Sequence, residues 1–187
     1  MHLIKSYFDY MKTPEEALHQ LLEERSVSQA LVGYLAAALS WVLFFNIGDG
    51  VFFPVLLLKI SVMFVAEITF GYFLASFCGL FLDFLKIETS PVKLFVLLGS
   101  AGFIKGILIA FALISAAFPA LHLGLLAPLA LLIVLGLQLG YLTRGVKRAY
   151  GVSYGQALGA WLFAFIPVGM ALVLLGVFLL WGIGLLF

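Results

Sequence analysis

The sequence predicts an all-α integral membrane protein, a polytopic bundle of five transmembrane helices with the N-terminus cytoplasmic and the C-terminus outside. Sixty-five per cent of its 187 residues are hydrophobic and ten per cent charged, whereas a soluble domain carries about a quarter charged residues. The charges stand between apolar runs, each long enough to supply the ~20 residues that cross ~30 Å of hydrocarbon. The sidedness of the basic residues then sets the direction of threading. Five spans use up the chain and leave no room for a separate soluble catalytic domain.

Residues 1–28 read as a cytoplasmic tail. They contain five acidic residues and no uninterrupted apolar segment, so they do not have the pattern of a cleaved signal peptide. Within them Thr13 is a helix N-cap, Pro14 stands at the first helical position and Glu16 follows three residues after the cap, a helix-start signature. Ala17, Leu18, Leu21 and Leu22 fall on one side of that helix, opposite Glu15, Glu16, Glu23 and Glu24. An acidic face of this kind is repelled by anionic headgroups, which argues against a polybasic lipid anchor.

The transmembrane domain occupies residues 29–187, with spans at about 30–47, 52–85, 94–118, 125–142 and 157–187. The first ends at the turn Gly48-Asp49-Gly50. The second apolar stretch measures ~50 Å as a helix, longer than one bilayer, and contains no loop, so it is one long tilted or overhanging helix. The polar break KIETSPVK (86–93) separates it from the third span, and Pro91 restricts helix continuation through Ser90. Pro119 to Gly124 turns the chain into the fourth span. A basic loop, TRGVKRAYGVSYGQ, precedes the last span, where Pro167 and Gly169 offer a kink.

Charge tests this count. The tail and the second and fourth loops carry Lys5, Lys12, Arg25, Lys86, Lys93, Arg144, Lys147 and Arg148, and the first and third loops carry no Lys or Arg. Eight against zero places the tail and those two loops in the cytoplasm. The acidic residues Glu15, Glu16, Glu23 and Glu24 and the basic Arg144, Lys147 and Arg148 then form a candidate cytoplasmic interaction surface. Acidic helix and basic loop can also satisfy one another.

Four ionisable residues remain inside the apolar stretches: Lys59, Glu67, Asp83 and Lys105. An unpaired intramembrane charge is expensive, so each needs a partner or a purpose. Glu67 lies ~27 Å from the cytoplasmic end of the second helix and Lys105 ~20 Å from that of the third. Both fall near mid-membrane, which makes Glu67–Lys105 the candidate ion pair. Two roles are open to it: fixing helix register, or lining a proton, ion or substrate path with Ser61, Thr69 and Ser76 nearby. Lys59 can snorkel to the outer interface, and Asp83 is within reach of Lys86 or Lys93.

Known enzyme and cofactor chemistries find little support. The lone Cys78 sits in an apolar run and reads as a small buried hydrophobe. His2, His19 and His122 are scattered without metal-ligand spacing, and the glycines form no phosphate loop or dinucleotide fingerprint. No cofactor is expected. The net charge of +1 gives no reason to expect a nucleic-acid partner. Small residues at helix-packing spacing (Gly71, Ala75 and Gly79; Gly102 and Gly106; Gly136 and Gly140; Gly155 and Gly159) predict close approach of helices within the bundle.

The stretch YLTRGVKRAYGVSYGQALGAWLFAFIPVGMAL resembles the end of the Yip domain, that of Ypt/Rab-interacting membrane proteins. Its basic segment Arg144, Lys147 and Arg148, the turn Tyr150-Gly151-Val152-Ser153 and Ala157 at the last span carry the likeness. Thr13-Pro14 near a short amphipathic helix, and Ser90-Pro91-Val92-Lys93-Leu94 followed by Gly99 and Gly102, are similar to the family's start and middle. The resemblance implies a five-helix membrane protein. The short tail resembles that of compact bacterial members, which implies the bacterial cytoplasmic membrane. The expected function is a non-enzymatic membrane organiser or scaffold. Its partners would be the bilayer, other membrane proteins or further copies of itself. The alternative is a small transporter or channel-like protein built on Glu67 and Lys105.

Overall fold

The computed structural model describes residues 27–46, 52–118 and 123–184. The acidic tail helix with Glu15, Glu16, Glu23 and Glu24, the turns at 48–50 and 119–122, and His2, His19 and His122 lie outside the described residues. The helices are α1 (Val27–Phe45), α2 (Phe53–Phe84), α3 (Pro91–Ala101), α4 (Gly106–Ala117), α5 (Ala127–Tyr150) and α6 (Tyr154–Gly184). A 3-10 turn, Gly102–Lys105, joins α3 to α4, and another, Leu123–Leu126, leads into α5. Among the described residues there is no strand. Five helical segments are long and apolar enough to cross a membrane: α1, α2, the continuous α3–α4 rod over Pro91–Ala117, α5 and α6.

Local chemistry explains where these helices stop and start. Pro91 is the first residue of α3, a position where its missing N–H is no loss. At the end of α2, Lys86 N–H donates to Asp83 O at 2.9 Å and Ile87 N–H to Leu82 O at 3.1 Å. These are the two bonds of a Schellman cap. The cap needs a left-handed residue, and Lys86 takes it at φ 61°, where glycine would do so without steric cost.

One sequence expectation is corrected. The basic stretch after Leu142 is not a loop, because α5 continues through it to Tyr150. Thr143, Gly145 and Val146 are buried while Arg144, Lys147 and Arg148 are exposed, so this stretch is an amphipathic end to the helix. Hydropathy marks where lipid contact ends, and hydrogen bonding carries the helix two turns further. Gly151 stops it at φ 65°. Only residues 151–153 connect the two spans. Gln156 N–H donates to Ser153 Oγ at 3.2 Å, and Ser153 N–H donates to Gln156 Oε1 at 2.9 Å. This reciprocal capping box opens α6.

The spans pack in a ring. α1 lies on α2 and on the α3–α4 rod, α2 on α6, α6 on α5, and α5 back on α3 and the 3-10 turn. α2 also touches α3, which fills one end of the ring. That end is tied by Tyr150, whose hydroxyl donates to Ser90 O at 3.1 Å and accepts from Ser90 N–H at 3.3 Å. The core there comprises Leu74, Leu82, Leu94, Leu97, Val146 and Trp161 with their neighbours. The tightest seam joins α1 to α3. A Cβ on Gly99 would sit 2.6 Å from Ala30 O, and Cβ atoms on Gly33 or Gly102 would strike the facing backbone. Backbones this close substitute van der Waals contact for the hydrophobic drive that lipid does not supply. Gly136 and Gly140, expected to pack in the same way, meet nothing within 4 Å.

Candidate functional site

Away from the filled end, three side chains from three spans converge. Lys105 ends the 3-10 turn, Glu67 lies about halfway along α2, and Trp41 is on the last turns of α1. Lys105 Nζ stands 2.7 Å from Glu67 Oε1. Trp41 Nε1–H donates to the same oxygen at 2.6 Å. The ammonium also lies 5.2 Å from the Trp41 ring centroid, within cation–π range. The side chains of Lys105 and Glu67 are 9% and 12% exposed, so both charges have left water and stabilise each other in a medium of low dielectric.

The geometry of this triad leaves hydrogen-bonding capacity over. A carboxylate has two oxygens and an ammonium three donors. Both protein donors to Glu67 fall on Oε1, and no described residue donates to Oε2. Lys105 likewise spends one donor, on Glu67.

Glu67 and Lys105 form part of the wall of a half-open cavity of about 950 Å³ between the spans. Every span contributes to it: Tyr34 and Trp41 from α1, Phe70 from α2, Leu98 from α3, Gln138 from α5 and Val168 from α6. Its size lies at the upper end of the range for small-molecule sites, and its apolar walls with a few polar groups match their usual composition. Tyr34 is committed, since its hydroxyl donates to Phe95 O at 3.0 Å. Gln138, half-buried in the wall, bonds to no described residue.

The remaining sequence candidates, apart from Thr69 in the cavity lining, are placed elsewhere. Lys59 is exposed and its Nζ donates to Asn46 Oδ1. Asp83 pairs with neither Lys86 nor Lys93; its Oδ1 accepts from Thr89 Oγ1 at 2.7 Å, because the Schellman cap turns the chain and brings Thr89 over it. Ser61, Thr69 and Ser76 each donate to the carbonyl four residues earlier, at 2.8–2.9 Å. They spend their donors on their own helix, and of the three only Thr69 lines the cavity. Arg144, Lys147 and Arg148 are exposed at the end of α5, on the end of the bundle that Tyr150 ties to Ser90. Cys78 is buried, and among the described residues no group of His, Cys, Asp and Glu gathers as a metal site would need.

Sequence reasoning missed Trp41 and Gln138. Trp41 could have been found by extending the depth argument to donors as well as charges. Gln138 is a lone amide in an aliphatic span, the kind of residue the same argument singles out. Compared with known proteins, the chain matches no family model, no curated protein and no solved structure.

Proposed function

We propose that this is a non-enzymatic multi-pass membrane protein that binds a lipophilic molecule in a half-open cavity between its helices, against Trp41, Glu67 and Lys105. The observation carrying this reading is the cavity of about 950 Å³ to which all five spans contribute. It is a narrower form of the small-transporter reading. Ion conduction is disfavoured because the walls are mainly aliphatic and aromatic and the helix hydroxyls bond to their own backbones. In the membrane orientation that accompanies this proposal, the end bearing Lys86, Lys93, Arg144, Lys147 and Arg148 faces the cytoplasm. Phe187 is then outside, and a bacterial cytoplasmic membrane is the proposed location.

Cysteine labelling tests the reading. In a Cys78→Ala background, Ala66→Cys and Phe70→Cys variants in native membranes are expected to react with a lipophilic maleimide and to resist a charged, water-borne thiosulfonate. Fast reaction with the charged reagent would replace lipophilic binding with an aqueous path. Resistance to both would remove the cavity.

A second reading, membrane organiser or scaffold of the Yip type, draws support from a different place. The exposed Arg144 and Lys147 project from the last turns of α5, on a helix end joined to the next span by only three residues, which makes a rigid basic face. Pull-down from membranes before and after deleting residues 1–26 tests it. Unchanged partners would remove any recruiting role for the acidic tail.

A further inference from the structure

The ligand class follows from the charge balance of the cavity wall. We infer that the cavity holds an uncharged lipid whose polar head is a hydroxyl, seated on Glu67, Lys105 and Gln138; this rests on the lipophilic-binding reading above.

Three observations carry it. First, Glu67 and Lys105 already neutralise each other at 2.7 Å. A carboxylate or phosphate head would add a net negative charge to a buried site, and an amine head a net positive one. Either would have to be desolvated without a counter-charge. Second, the wall offers both kinds of hydrogen-bonding partner. Glu67 Oε2 accepts from no described residue, and Lys105 donates once, to Oε1. A hydroxyl donates one hydrogen and accepts through its lone pairs, so it can satisfy both groups and leave the site neutral. The amide of Gln138, bonded to no described residue, lines the same cavity. Third, the site lies deep. Glu67 is ~26 Å along α2 from its Phe84 end, and Lys105 ~21 Å along the rod from Pro91. A charged head would have to reach mid-membrane depth, which lipid opposes strongly. A hydroxyl meets a much smaller barrier. The aliphatic and aromatic remainder of the cavity, with Phe70, Leu98 and Val168, suits the chain.

The experiment is a competition on the full chain in lipid nanodiscs. A diazirine-bearing hexadecanol is crosslinked by light and the labelled peptides are mapped. Unlabelled hexadecanol, palmitate and hexadecylamine compete in separate arms. The expected result is labelling of α2, α5 or α6 beside the cavity, with hexadecanol competing at a concentration at least about tenfold lower than the acid or the amine. The Glu67→Gln/Lys105→Met double variant keeps a neutral cavity and removes the carboxylate acceptor and the ammonium donor, so it should bind hexadecanol at least about fivefold more weakly than the wild type. Equal competition by the three heads in the wild type, or a preference for the acid or amine, would overturn the hydroxyl inference and leave lipophilic binding standing. Hexadecanol binding unchanged in the double variant would also overturn it. Labelling that avoids the cavity in every arm would overturn both this inference and the reading beneath it.

Discussion

Replacing Lys105 with methionine keeps most of the side chain's length and removes its charge, leaving the Glu67 carboxylate with Trp41 as its single protein donor. Two unit charges 2.7 Å apart attract by about 6 kcal/mol at an effective dielectric of about 20. Desolvation offsets much of that attraction. Breaking such a pair from one side nevertheless costs about 3–5 kcal/mol, since the surviving charge stays buried without compensation. Against a total stability of about 5–15 kcal/mol, Lys105→Met alone should bring the protein close to unfolding. Glu67→Gln alone, which strands the ammonium, should fall in the same range. The double variant removes both charges and keeps an amide oxygen for Trp41, so its loss should be about 1 kcal/mol. The two changes therefore couple by at least about 5 kcal/mol. Unfolding the purified protein in mixed micelles with a denaturing detergent, followed by tryptophan fluorescence, measures all three. Additive losses, with the double variant as damaged as the two singles summed, would refute the argument that the pair stabilises the ring as one unit.

Three further outcomes are expected. Lys86→Gly relieves the left-handed strain at φ 61° and should raise stability by about 1 kcal/mol in the same assay, since the Schellman cap itself is retained. Gly99→Val drives side-chain atoms into the Ala30 backbone 2.6 Å away; the resulting overpacking should cost about 3 kcal/mol or more, seen as a lowered melting temperature and faster proteolysis. Tyr150→Phe loses both bonds to Ser90 and should cost about 1–3 kcal/mol, with faster amide exchange at the start of α3 as the local readout.

How much of the molecule was legible beforehand depended on which physical signal marked it. Long apolar runs mark helices of membrane-crossing length directly, and the long second span appears as the single helix Phe53–Phe84. Helix ends beyond the lipid were not legible in the same way. The segment after Leu142 looks like a loop because its charges break the apolar run, yet those charges lie on one exposed side of a continuing helix. Asp83 misled for a related reason. A list of nearby lysines cannot show that a left-handed residue at position 86 folds Thr89 back over the carboxylate. The glycines divided similarly, since spacing cannot tell Gly102, pressed on the Gly33 backbone, from Gly136, where an added Cβ would meet nothing within 4 Å.

The sequence by itself determined that the chain forms helices long and apolar enough to cross a membrane, and that a carboxylate and an ammonium stand at matching heights on neighbouring helices. Both conclusions need only hydropathy, rise per residue and the penalty for a lone charge in hydrocarbon. Tertiary structure alone decided that Trp41 shares the oxygen Lys105 uses, that Oε2 takes no bond from a described residue, and that all five spans line one half-open cavity beside it. Those facts depend on the rotation of each helix about its axis. In a membrane that rotation is set by which small residues let backbones touch, because lipid is as apolar as the side chains and gives no helix an inward face of its own.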